Sequence, residues 1–214
     1  MKTATIALIL AIAAIGTGCS TTNERSRNLA DPSVSGKTLA LQVCSNCHGI
    51  DGNSVNPTFP KLAGQPVEYF LVEMKEFRNH HRADPAGFEY MWGLSRSLTD
   101  RQLDELASYY AQQRPIEDQP AEPQRVSAGK IIFDQGVPVK NIPPCMACHG
   151  AEGAGNGKFP RIAGQHADYL VKQLTVFKRT DERPEGALME TIAHDLTPDN
   201  IEDVSAFLSG HSPK

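Results

Sequence analysis

The pentapeptide Cys44-Ser45-Asn46-Cys47-His48 recurs 101 residues later as Cys145-Met146-Ala147-Cys148-His149. A Cys-x-x-Cys-His run is an attachment sequence for c-type haem: the two thiols add to the porphyrin vinyl groups, and the histidine becomes an axial ligand of the iron. The spacing serves that chemistry. One turn of chain sets the thiols apart by about the span of the vinyls, and a histidine directly after the second thiol stays under the iron. Cys-x-x-Cys alone also suits a redox dithiol or half a zinc site. Two copies with His in register favour haem, so the expected cofactors are two covalently bound haem c groups.

The repeat reaches well beyond the motifs. Phe59-Pro60-Lys61-Leu62-Ala63-Gly64-Gln65 returns as Phe159-Pro160-Arg161-Ile162-Ala163-Gly164-Gln165, and Tyr69 and Phe77 return as Tyr169 and Phe177. Each unit has about ninety residues, marginal for an unaided core, and a bound haem adds apolar surface. The pattern predicts a short helix from Ser35, as N-cap, to Val43, delivering Cys44, and a helix over about 66–79. Thr99 is placed to cap a helix over 100–113. In the second half the helices fall at about 127–135 and, behind Thr197 and Pro198, at 199–209, with an extra loop over 136–144. Leu103, Leu106, Ala107 and Tyr110 form one apolar stripe; Ile201, Val204, Phe207 and Leu208 form the other. The fold class is therefore all-α, a tandem duplication of domains over 33–113 and 125–210. The Pro-rich acidic stretch 114–124 is the expected linker and must run over the surface.

Ahead of these units, Lys2 precedes an apolar run from Ala4 to Ile15 that is too short to span a bilayer, and small residues follow it. Residues 1–18 therefore read as a secretory signal peptide. Gly16 to Cys19 resembles a lipobox with Gly16 in place of the usual Leu, and Cys19 is the one cysteine of five that the haem motifs leave over. Cys19 is the expected lipidation site, and 19–32 is a flexible polar tether. Losing Lys2 with the leader takes the formal charge from −4 to −5, which makes nucleic acid an unlikely class of partner. No second apolar stretch approaches spanning length, so membrane attachment would run through Cys19. The expected location is the periplasm.

The sixth ligand decides between an open, reactive iron and a closed electron carrier. Candidates are Met74, Met91, His80 and His81 in the first half, with His166, Met189 and His194 in the second. Met74 aligns with Leu174 and reads as core packing. Met91 and Met189 each stand seven residues before a leucine, Leu98 and Leu196, that opens the last helix. That shared spacing selects them, beside His48 and His149, as axial ligands. His80 and His81 end a helix among Arg and Lys neighbours and His194 has no twin, so all three read as solvated or helix-terminal groups.

With these motifs and the run Pro143-Pro144-Cys145-Met146-Ala147-Cys148-His149-Gly150-Ala151-Glu152-Gly153, the chain resembles the dihaem cytochrome c4 family from residue 33 to 209. The resemblance implies two class I cytochrome c domains with facing haem propionate edges and His/Met ligation. It also implies a periplasmic electron carrier, with no catalytic residues, between a quinol oxidising complex or dehydrogenase and a terminal oxidase or other acceptor. The chain departs from the family's commonest form in its lipobox-like leader and in a longer stretch, Arg82 to Tyr90, before Met91. The rival readings are a haem subunit of a dehydrogenase complex and a dihaem peroxidase, the latter requiring one open iron.

Overall fold

The computed structural model describes residues 27–119, 121–179 and 182–211. The leader, Cys19 and the tether as far as residue 26 lie outside them.

The first half contains α1 (Gly36–Leu39), a π-helical turn (Ala40–Cys44) and α2 (Ser45–His48). These are followed by α3 (Val67–Arg78), a second π turn (Gly87–Met91), α4 (Trp92–Ser95) and α5 (Asp100–Ala111). The second half contains α6 (Pro123–Gln135), α7 (Met146–His149), α8 (Ala167–Phe177), α9 (Ala187–Ala193) and α10 (Pro198–Ser209). No strand occurs among the described residues, only two isolated antiparallel bridges.

Each half is a packed helical domain whose first helix crosses its last: α1 lies on α5, and α6 on α10. A glycine stands at each crossing because nothing larger fits. A β-carbon on Gly36 would come within 2.6 Å of Glu105 Cβ, and one on Gly129 within 1.9 Å of the Asp203 carbonyl oxygen. The last helices start on matched capping boxes, Thr99 with Gln102 and Thr197 with Asn200, which satisfy backbone N–H groups that a helix start leaves unpaired. Their buried faces are the predicted stripes. Leu103, Leu106, Ala107 and Tyr110 join Leu39, Phe70, Met74 and Phe77 in the first core, while Val204, Phe207 and Leu208 join Ile132, Phe133 and Leu170 in the second.

The structure differs from the sequence pattern in three places. The first helix does not stop before Cys44; it continues through a π turn into the motif, with Ser45 Oγ donating to the Leu41 carbonyl (2.8 Å). Helix α6 begins at Pro123, inside the stretch read as linker, because proline at the first helical position gives up no needed N–H. The segments that carry Met91 and Met189 are short helices where the sequence pattern assigned no element.

Candidate haem sites

Helices α2 and α7 present the two motifs to a single cavity of about 520 Å³, within the range of about 300–1,000 Å³ typical of cofactor pockets. Cys44, Cys47, His48 and Met91 line it from the first domain; Cys145, Cys148, His149 and Met189 line it from the second. All eight predicted site residues in the described chain thus face one space. Phe70, Leu98 and Leu106 on one side and Ile132, Leu174 and Leu196 on the other make its walls apolar.

The histidines are held alike. His48 Nδ1 is 2.9 Å from the Pro60 carbonyl oxygen, and His149 Nδ1 is 3.0 Å from that of Pro160. A carbonyl can only accept, so each Nδ1 carries the proton and each Nε2 is the nitrogen left for a metal. The rings of Phe59 and Phe159 meet the two imidazoles edge to face, with centroids 6.2 and 6.3 Å away. Burial lowers the pKa of both histidines, against the opposing effect of the Pro carbonyl, and so favours the neutral ring that ligates iron.

The Phe-Pro-x-x-Ala-Gly-Gln runs are fixed by one backbone device in each half. The Gly52 carbonyl accepts from Leu62 and Ala63 N–H, and the Gly153 carbonyl accepts from Ile162 and Ala163 N–H. The repeated sequence is thus a strap that places one proline carbonyl under each histidine.

The thiol chemistry argues against the dithiol alternative. A reactive Cys-x-x-Cys needs a lowered thiol pKa, yet burial pushes Cys44 and Cys145 up to about 11. Among the described residues no group of three or more His, Cys, Asp or Glu side chains is placed to hold a metal ion, as a zinc site would require. The residues therefore fit a large apolar group fixed by thioethers and an imidazole. The Tyr110 hydroxyl lies buried on the cavity wall beside the Cys44 thiol.

The discounted residues lie elsewhere or are engaged. His80 is exposed and stacks on Trp92 at 4.4 Å; His81 is exposed beside Glu76, and His194 beside Asp195. His166 is buried, but its Nδ1 meets Asp118 Oδ2 and its Nε2 meets the Ser54 carbonyl, both at 2.9 Å, so neither nitrogen is left for iron. Met74 packs in the first core between α3 and α5 and also touches the cavity, as Leu174 does in the second domain.

Sequence reasoning missed what joins the domains. Gln65 Oε1 accepts from Arg161 N–H (3.0 Å) and its Nε2 donates to the Arg161 carbonyl (2.9 Å). Gln165 Oε1 accepts from Lys61 N–H (2.8 Å) and its Nε2 donates to the Lys61 carbonyl (2.9 Å). Each glutamine thus reads the other domain's strap as a strand neighbour would, across a pseudo-two-fold axis. The signal was present in the repeat itself, since polar residues repeated this strictly inside apolar surroundings need partners.

The comparisons agree with this construction. The sequence profile of the family described as Cytochrome c matches twice, over residues 33–113 and 126–212. Cytochrome c4 of Azotobacter vinelandii is 37% identical over 177 residues, covering 78% of this chain and 84% of that one. The thiosulfate dehydrogenase electron acceptor of Stutzerimonas stutzeri (strain A1501) is 30% identical over 191 residues, covering 84% of this chain and 83% of that one. The crystal structure of reduced recombinant cytochrome c4 from Pseudomonas stutzeri superposes with a TM-score of 0.74 at 33% identity, covering 85% of this chain and 99% of that one. With two profile matches, two haem-attachment motifs and two helical domains, the chain belongs to the cytochrome c family, as a dihaem member of the cytochrome c4 type carrying two covalently bound haem c groups.

Proposed function

We propose that this protein is a periplasmic electron carrier with two closed irons and no substrate of its own. The observation that carries the reading is the matched donor set. His48 and Met91 line the cavity from one domain, and His149 and Met189 from the other, with the same seven-residue spacing from each methionine to the leucine before the last helix. Cys44 and Cys47, and Cys145 and Cys148, are the thioether attachment points of the two units, 33–113 and 125–210. His48 and Met91 would hold the iron of one haem, and His149 and Met189 that of the other, the imidazoles through Nε2 and the methionines through their thioethers. When bound, each haem supplies a one-electron couple, which a soft neutral thioether shifts towards the reduced form.

The protein's own contribution is rigidity and dryness. The Pro60 and Pro160 carbonyls fix the imidazoles, the apolar walls exclude water, and the paired glutamines keep the two sites in one frame, so little has to reorganise when charge moves. Lipidated Cys19 is the proposed anchor that confines the carrier to a membrane surface. The proposed donor is a quinol oxidising complex or a dehydrogenase, and the proposed acceptor a terminal oxidase.

A second reading, a dedicated acceptor subunit of a dehydrogenase, is favoured by one specific finding: a relative similar over most of both chains is described as the electron acceptor of thiosulfate dehydrogenase. Isolation from the native membrane under mild conditions separates the two. A freely exchanging carrier purifies alone, whereas a subunit travels with its enzyme. The ligand set itself is tested by Met91→Ala and Met189→Ala, each of which should open one iron to small exogenous ligands and lower that haem's potential while sparing the other.

A further inference from the structure

The pseudo-two-fold breaks at the residue that follows each strap. In the first domain Gln65 runs into Pro66, whose side chain has nothing to donate; in the second, Gln165 runs into His166, the N-cap of α8, which is 4% exposed. His166 Nδ1 lies 2.9 Å from Asp118 Oδ2, in the stretch that connects the domains. Its Nε2 lies 2.9 Å from the Ser54 carbonyl oxygen, in the loop after the first haem motif.

The stretch that carries Asp118 is fastened to both domains. Asn53 Nδ2 donates to the Arg114 carbonyl (2.9 Å), and Asn53 Oδ1 accepts from Ile116 N–H (3.0 Å). Lys61 Nζ donates to the Ile116 carbonyl (2.7 Å) and to Asp118 Oδ1 (2.5 Å), while Asp118 N–H donates to the carbonyl of Ser209, the last residue of α10 (2.9 Å). His166 therefore sits where the second domain, the connecting stretch and the first motif's loop meet. Ser54 carries the contact onward, since its Oγ lies 3.0 Å from the Cys47 carbonyl oxygen and accepts from Asn56 N–H (3.2 Å). None of His166, Asp118 and Ser54 lines the haem cavity, so these contacts are complete within the chain.

Two acceptors decide the state of the ring between them. A carbonyl oxygen has no proton to give, and neither has the Asp118 carboxylate, which also accepts from the Lys61 ammonium. Both ring nitrogens must then donate, which makes the side chain an imidazolium. A neutral ring has one N–H. It would keep the charge-assisted bond to Asp118 and turn a bare Nε2 lone pair on the Ser54 oxygen, in a buried place where an unmade hydrogen bond is costly.

We propose that His166 is a proton-operated latch between the domains, closed on Ser54 while the ring holds both protons and released from it when one is lost. The step breaks one N–H bond at Nε2 and passes the proton to water; nothing is oxidised or reduced. Asp118, 32% exposed, brings solvent to the edge of the site. The charged groups around the ring are Lys61 from the first strap, Asp118 and Glu117 from the connecting stretch, and Arg161 from the second strap, the last two standing beside Gly164. On its own helix Asp168 is exposed, and in the first motif's loop Asp51 is engaged with Asn53. Closing the latch ties the loop behind Cys47 to the second domain, so the proton on this ring sets how firmly the two sites share one frame.

The latch rests on these contacts alone, and its failure would leave the carrier reading untouched. In the full, reduced dihaem protein, nitrogen-15 NMR of the His166 ring should show a directly bonded proton on both nitrogens in mildly acid solution, and loss of the one on Nε2 as pH rises. Over the same interval the Asn56 amide, which bonds to Ser54 Oγ, should exchange its proton faster than the intrinsic effect of pH accounts for. Asp118→Asn withdraws the anion but keeps an oxygen for Nδ1, and should move the loss of the Nε2 proton to lower pH, a shift that a contact of purely structural importance does not give. His166→Gln, which cannot take a charge, should remove the excess pH dependence at Asn56. The wild-type ring decides the matter even if neither variant folds. One bonded proton throughout, or two throughout, overturns the latch. So does a titration that Asp118→Asn leaves in place, or exchange at Asn56 that follows pH equally in the wild type and in His166→Gln.

Discussion

The two domains are alike in the residues around each haem-attachment motif and unlike in the backbone that leads to it. The motif, the strap with its proline carbonyl, the edge-on phenylalanine and the interval from methionine to leucine coincide to within a tenth of an ångström or a single residue count. The approach to each motif does not. In the first domain the helix flows through a π turn into Cys44. In the second it ends at Gly136, where φ is +70° and a β-carbon would lie 2.1 Å from the Ile142 carbonyl oxygen, and a loop with a 3₁₀ turn intervenes before Cys145. Haem binding constrains a small set of contacts and tolerates several backbone routes to them.

The most severe way to break the comparison is at the motifs. Cys145→Ser with Cys148→Ser should cost one covalent haem by intact mass and leave the second domain without the apolar group that completes its core, while Cys44→Ser with Cys47→Ser should do the same to the first. Next come the helix crossings. Gly129→Ala should destabilise more than Gly36→Ala in thermal unfolding, because the first forces backbone apart at 1.9 Å and the second meets its nearest atom, a side-chain carbon, at 2.6 Å. Met74→Ala should cost about 2–5 kcal/mol by denaturant unfolding without changing the haem spectrum; a spectral change would remove the distinction between Met74 and Met91.

Smaller effects sharpen the symmetry. Gln65→Ala leaves the Arg161 N–H and carbonyl without their glutamine partner, and Gln165→Ala leaves the N–H groups of Lys61 and His166 without theirs while the Lys61 carbonyl keeps Arg161 Nη2 (3.3 Å), so each should cost about 1–3 kcal/mol per group left unpaired in denaturant unfolding. The interface also has a pH signature. Despite burial, Arg183 and Arg82 hold Glu73 below its ordinary 4.5, so its contribution is present above that value and is lost as pH falls through the lower folded value. Acid should therefore loosen the interface, as seen in domain-separated unfolding transitions. The weakest effects, about 1 kcal/mol each, belong to Thr99→Ala and Thr197→Ala at the matched caps.

Much of this was legible because repetition replaces missing information. A lone Met91 in a segment with no obvious period carries little signal; paired with Met189 at a common distance from the next leucine, it becomes a ligand candidate. The domain class, the caps and the apolar stripes were legible for the ordinary reason that 3.6-residue periodicity and Ser/Thr caps are local. The interface was not, because Gln65 and Arg161 meet across 96 residues and neither carries a local pattern that names its partner. The Arg82–Asp84 pair lay in the stretch read only as lengthened and Arg183–Glu185 in a stretch given no reading, and the three residues by which the interval from Arg82 to Met91 exceeds that from Arg183 to Met189 are accommodated around the π turn Gly87–Met91.

The central claim is that both irons are closed alike. It is tested most directly by exposing the reduced wild-type protein to carbon monoxide and following the spectrum of each haem. Two His/Met sites predict slow, weak binding at both, with Met91→Ala and Met189→Ala each converting one haem, and only one, to rapid binding. Rapid binding at one haem of the unaltered protein would contradict the account, making the domains chemically unlike and giving that haem an open, reactive position.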